Sequence, residues 1–360
     1  MPGQFNHHLL LLARQYRERS QASVATGAGL TQPHYSRIES GLLQGDPAEE
    51  NVARIAKTLA FPVSFFYQPD HMAGLPLSVH PMHRRKESVG EKAVKRLHAE
   101  LNIRLMHVRR LLKATETEEE LPRPHYDVDE GGGPREIARK VRSAWMVPPG
   151  PIDNLTHLAE RAGILVVMCD LDTKIDGVTM QERDLPPCVF LNKNIPADRL
   201  RFSLAHEIGH VIMHRVPTDT MEEEANTFAG ELLTPAKELY RYFIGRKITL
   251  ESLARAKAYW RVSMQSLLYQ AKEVGVLGHY PADRLWRRIS QLGWRTRETA
   301  ETDFEPEQAD LFIALLNLHT TDLEYKPEDV AGLFHIDIND LRDLYGIQPG
   351  NQRSFLHVVK

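Results

Sequence analysis

Apolar side chains recur every three or four residues along most of this chain, the spacing of helices that bury one face. Residues 8–66 parse as five short helices. The clearest covers Asn51–Ala60, where Val52, Ile55, Ala56 and Leu59 turn inward. Pro62, Pro69, Pro76 and Pro81 then break up the chain, before a stripe of Val94, Leu97, Leu101, Leu105, Val108 and Leu112 predicts another helix. Thr115–Gly133, with Pro122, Pro124 and three consecutive glycines, reads as a linker. Beyond it Pro134–Trp145 reads as a helix, and Ile164–Met168 and Cys188–Asn192 as short buried strands. Helical series follow over Asp198–Met213 and Glu222–Leu233, and Glu307–Leu318, Lys326–Phe334 and Ile338–Tyr345 read as a small helical tail. The pattern predicts an α+β chain, mostly α, in four parts: 1–70, 71–134, 135–278 and 279–360.

With 360 residues, 45 Lys+Arg and 48 Asp+Glu, the formal charge is −3. That excludes a uniformly basic nucleic-acid coat and confines any DNA contact to a local patch. The near-zero sum hides blocks. Residues 1–70 carry six basic and six acidic groups, Arg84–Lys113 ten Lys/Arg against three Glu, and Glu301–Tyr345 two basic against twelve acidic. No apolar run reaches the ~18 residues of a membrane span. Cys169 and Cys188 are too few for a disulfide framework and read as buried apolar residues. These features place the chain in the cytoplasm, away from membranes.

Two helices within residues 20–41 carry the first chemical signal. Ser20 and Thr31 stand where helix caps belong, and Gly29 where a tight turn belongs. Val24, Ala25, Leu30, Tyr35 and Ile38 would pack the pair together. Thr31, Gln32, His34 and Arg37 would then face outward, where a recognition helix presents base-reading groups. The stretch resembles the phage-repressor-like (Xre) helix-turn-helix family: Ser20-Gln21, Gly29 and Ser36-Arg37-Ile38-Glu39-Ser40-Gly41 match its pattern without a gap. The resemblance implies a five-helix lambda-repressor-like domain that binds double-stranded operator DNA, with Gln21 on a backbone phosphate. Pro33, in the first turn of the second helix, departs from the pattern.

The second signal is His206-Glu207-Ile208-Gly209-His210. At ~3.6 residues per turn, histidines at i and i+4 project from one helix face and can reach one Zn²⁺. Glu207 is placed to act as acid/base on a water that the metal activates. Apolar neighbours on almost every side of this helix predict that the three are buried, and buried His and Glu need partners. A third ligand is still required. His214 lies about 12 Å from His206 along the same helix, too far to share an ion. On the neighbouring helix Glu222, Ala225 and Asn226 share a face while Glu223 and Glu224 are rotated away. Glu222 is therefore the candidate third ligand, and Asn226 the group that orients a ligating histidine.

Arg201–His210 and Glu222–Pro235 together resemble the ImmA/IrrE-type metallo-endopeptidases, with Thr234 where Met is commoner. The resemblance spans 135–278 and implies a minimal zincin-like domain with a small sheet. It implies His206, His210 and Glu222 as metal ligands and Glu207 as acid/base; by ligand type the metal is zinc, with manganese a second candidate. Cys188–Asn192 would be the edge strand that pairs with an extended peptide. Two functions are open. One is a DNA-binding regulator that cleaves a specific protein, such as an Xre-like repressor or itself. The other is a repressor or antitoxin-like regulator, with a toxin as partner, whose peptidase fold senses a ligand or docks a protein without turnover. Either layout admits a homodimer.

Overall fold

Helices α1 (His7–Tyr16), α2 (Gln21–Gly27), α3 (Gln32–Glu39) and α4 (Glu49–Leu59) open the chain, followed by a short 3₁₀ helix at Val63–Tyr67. The computed structural model describes residues 3–74, 90–113, 115, 119–171 and 175–347. The chain divides into two compact units: Met1–Gly74 with Val89–Glu116 and the segment from Ile313 onward, and chiefly Thr117–Phe312.

In the first unit, Val24, Ala25, Tyr35 and Ile38 are buried between α2 and α3, and Leu30 is half-buried. Ser20 caps α2, its hydroxyl accepting from Ser23 N–H at 3.1 Å. Thr31 occupies the N-cap of α3 but makes no side-chain capping bond. Pro33, two residues on, has no N–H to offer it. Glu39 ties three helices. Arg14 donates to both its oxygens at 2.6 and 2.9 Å, Gln21 at 2.7 Å and the Tyr35 hydroxyl at 3.0 Å. Burial opposes ionisation of Glu39, but the hydrogen bonds from Arg14 and Gln21 outweigh it and hold the carboxyl below its ordinary 4.5. This depressed carboxyl contributes stability above pH 4.5, and the contribution is lost as pH falls through the folded-state value. Glu39→Ala strands the Arg14 charge and should cost about 3 kcal/mol. Denaturant titration would measure that loss, and it should shrink in acid.

Helix α5 (Glu91–Leu112) completes this part of the unit. Arg84, Arg85 and Lys86, which open the expected basic block, lie outside the described residues.

The second unit contains α6 (Pro134–Ala144), α7 (Leu155–Arg161), β1 (Leu165–Cys169), β2 (Gly177–Met180), β3 (Cys188–Asn192) and α8 (Ala197–Met213). Next come α9 (Met221–Leu233), α10 (Ala236–Phe243), α11 (Leu250–Trp260), α12 (Met264–Glu273) and α13 (His279–Gln291). The sheet order is β1-β3-β2, with β1 parallel and β2 antiparallel to β3. This corrects one expectation. β3 is the central strand, both its edges are paired, and it cannot add a peptide. The edge beside α8 is β2. β3 is buried at all five residues, and an apolar run of that kind reads identically for a central or an edge strand.

The α8–α9 pair forms the centre of the core, under α6 and against the sheet. Arg142 of α6 donates to the carbonyls of Leu232 (2.6 Å), Pro148 (2.7 Å) and Gly150 (2.7 Å), satisfying a helix end that burial cuts off from water. Cys169 and Cys188 are buried and free of any disulfide.

Residues 119–133, expected to be a linker, are bound into this unit. Leu121 enters the core, Tyr126 N–H donates to Ile212 O at 3.0 Å, and Trp145 Nε1 donates to Pro122 O at 2.9 Å. Composition cannot distinguish a free linker from a strap held by backbone hydrogen bonds.

The second unit ends within α14 (Asp310–Asn317), and α15 (Pro327–Phe334) and α16 (Ile338–Tyr345) belong to the first. Asp340 of α16 pairs with Arg17 at 2.5 and 2.6 Å, and Phe334 stacks on buried His107 at 4.3 Å. The tail thus spends part of its negative charge on the helix-turn-helix region rather than standing as a separate part. Among the described residues, no helix is long and apolar enough to cross a membrane.

Candidate metal centre

Helix α8 carries His206, Glu207 and His210, and α9 carries Glu222 and Asn226. The two helices approach closely at Gly209, where a Cβ would meet Phe228 at 3.1 Å and the Ala225 backbone at 3.3 Å. That contact brings Glu222 within reach of both imidazoles. His206 Nε2 and His210 Nε2 are 3.0 Å apart, and the Glu222 oxygens lie 3.5 and 3.3 Å from them. Two metal–nitrogen bonds of ~2.0–2.1 Å at a tetrahedral angle would separate the donors by about 3.4 Å. The three donors fit one ion. Glu222 Oε1 is buried and has no hydrogen-bond partner, the condition a ligand oxygen would be in without its ion.

His210 is wholly buried, whereas the His206 side chain retains 14% exposure and that of Glu222 36%. The site therefore opens to solvent on the His206–Glu222 side. Burial raises the Glu222 carboxyl, but the imidazoles of His206 and His210 beside it prevail and bring it to about 2. For His206, burial works against the charged form, while Glu222 and the charge of Glu207 carry its pKa above the ordinary 6.5. Asn226 Oδ1 lies 3.1 Å from His206 Nδ1, placed to accept its proton and leave Nε2 free as a donor.

Glu207 is buried against β2. Its Oε2 accepts the Thr179 hydroxyl at 2.6 Å, and a Cβ on Gly177 would meet its Cγ at 3.2 Å. Sequence reasoning missed both residues, because nothing local links a short strand to a helix about 30 positions away. It also missed Glu224. Rotated away from the ligand cluster as expected, Glu224 nevertheless reaches His214 at 3.0 Å, and His214 Nδ1 meets His210 Nδ1 at 2.9 Å. The i, i+4 series His206, His210, His214 was the available signal for His214. Gly177→Ala should push Glu207 off its position and reduce any peptidase rate without removing metal, which paired rate and metal-content measurements would show.

Of the residues expected to face DNA, Thr31, Gln32 and Arg37 are exposed, and His34 and Gln21 are half-buried. Gln21 is engaged at both ends of its amide, donating to Glu39 and accepting from Gln32 at 3.2 Å.

A three-donor His/His/Glu cluster beside a buried carboxylate, on a helix pair under a small sheet, defines a metallopeptidase-like domain, and it follows a helix-turn-helix. Residues 159–272 match the peptidase family model described as IrrE N-terminal-like domain, and residues 12–66 match the model described as helix-turn-helix. None of the curated proteins matches the chain.

Proposed function

We propose that the chain is a DNA-binding transcriptional regulator whose second unit is a zinc-dependent endopeptidase acting on one regulatory protein, an Xre-like repressor or the chain itself. The observation that carries this reading is the convergence of His206, His210 and Glu222, with ligand atoms all within 4.8 Å, beside the buried carboxylate of Glu207. These residues would hold zinc, and the same donor set would accept manganese. When bound, the metal supplies Lewis acidity, lowering the pKa of water towards ~7 and polarising the scissile carbonyl. Glu207 takes the proton from the attacking water and returns it to the leaving amine. Thr179 holds Oε2 of that carboxylate, so the proton travels on Oε1. The strand nearest Glu207 is β2, and an extended substrate would pair with its edge.

Incubating the zinc-loaded chain with Xre-type repressors, with the chelated chain as control, tests the enzymatic half. A new metal-dependent product terminus supports it, and intact repressors throughout would sink it.

In the DNA-binding half, Gln21, Thr31, Gln32, His34 and Arg37 contact the operator. Arg37→Ala is expected to weaken operator binding by about 1–3 kcal/mol if it reads a base. As a phosphate contact it should instead lower the salt dependence by about one charge. A gel-shift titration at several stated salt concentrations separates the two, and unchanged binding at every salt removes Arg37 from the interface.

A further inference from the structure

We propose that His214 and Glu224 are positioning residues that lock His210 in the tautomer able to bind metal. The inference rests on the metal-centre reading above and concerns groups that reading leaves idle. His210 Nε2 faces His206 and Glu222, so it must present a lone pair to an ion there. A neutral imidazole has one N–H and one lone pair, so the His210 proton must sit on Nδ1. That atom lies 2.9 Å from His214 Nδ1, which must then be the acceptor. His214 therefore carries its proton on Nε2, and that N–H donates to Glu224 Oε2 at 3.0 Å.

A carboxylate only accepts, so Glu224 fixes the direction of the whole chain. Without it, His214 could place its proton on Nδ1, and two N–H groups would face each other across 2.9 Å. The escape from that clash moves the His210 proton to Nε2, where it blocks the metal. Both imidazoles are buried, His210 at 0% exposure and His214 at 4%, so bulk water does not compete for these nitrogens. His206 is held more loosely, because among the described residues its Nδ1 meets only the amide of exposed Asn226. Helix α9 thus acts twice: Glu222 supplies a ligand, and two residues on Glu224 sets the state of another.

The experiment uses the full chain, stripped of metal and titrated with zinc against a chromogenic chelator, with cobalt spectra as a second readout. Glu224→Ala and His214→Ala are expected to weaken zinc binding about 10–100-fold and to alter the cobalt bands. Glu224→Gln should recover only part of the affinity, because its amide oxygen can still accept from His214 Nε2 while its NH2 admits the reverse arrangement. Circular dichroism and melting of the metal-free variants establish that they are folded. Glu224→Ala binding zinc as tightly as the parent, with only a lowered melting temperature, would reduce the pair to packing and overturn the inference. Glu224→Lys, whose ammonium can only donate to His214, would overturn the tautomer argument if it bound zinc as tightly as the parent. Failure of the underlying reading looks different: the parent chain would then bind no zinc, or bind it equally well after Glu222→Ala.

Discussion

Replacing Glu207 by glutamine is expected to abolish peptide hydrolysis while leaving the metal in place. Glu207 is 3% exposed, pinned by the Thr179 hydroxyl at 2.6 Å and backed by Gly177. Glutamine has the same shape and keeps an oxygen for Thr179, so the fold and the three ligands are undisturbed. It cannot take a proton from water at neutral pH. Losing a positioned general base typically costs 10²–10⁴-fold in rate. The measurement is turnover of the cleaved repressor, or a peptide from it, beside zinc stoichiometry for parent and variant. Parent-like turnover with glutamine at 207 would show that Glu207 is not the base. Lost turnover with lost zinc would place its role in the structure of the centre.

Removal of the third ligand should have the next largest effect. Structural zinc sites with four protein ligands release roughly 10–16 kcal/mol, so one ligand accounts for about 3 kcal/mol, or roughly two decades of affinity. Glu222→Ala should lose that much and, with it, hydrolysis at zinc concentrations that just saturate the parent. The pH dependence has a defined sign. In the metal-free chain the His206 pKa is raised above 6.5, so protons compete with zinc from above that value downward. Zinc affinity should climb as pH rises through this range and then level. Glu222, at about 2, remains ionised throughout the same window and adds no slope. In Glu222→Ala part of the support for protonated His206 is gone, with Glu207 remaining, and the rise should shift to lower pH. Calorimetric zinc titrations across pH 5.5–8.5 would show whether the curve moves in that direction.

Much of this chain was legible before its structure. The i, i+4 histidines and the face shared by Glu222 and Asn226 are helix geometry, which depends on sequence separation alone. Ser20, Gly29 and the apolar stripe over Val24–Ile38 marked the helix pair for the same reason. Where the reading failed, the deciding partner was remote in sequence. β3 reads as an apolar run in the centre or at the edge of a sheet, and pairing with both β1 and β2 settles which. Residues 119–133 have a linker's composition, yet the Ile212 carbonyl and the Trp145 indole tie them down.

What the sequence determined by itself is therefore local: the helices, the Ser20 cap, and a ligand set whose members lie within one helix or on one face of the next. Tertiary structure alone decided which strand lies beside Glu207, that Thr179 holds it, that Glu224 reaches His214, and that Asp340 returns to Arg17. Helical periodicity constrains a side chain's direction about its own axis. Contacts between elements depend on how those axes cross, and here that is set by close approaches such as Gly209 against Ala225 and Phe228.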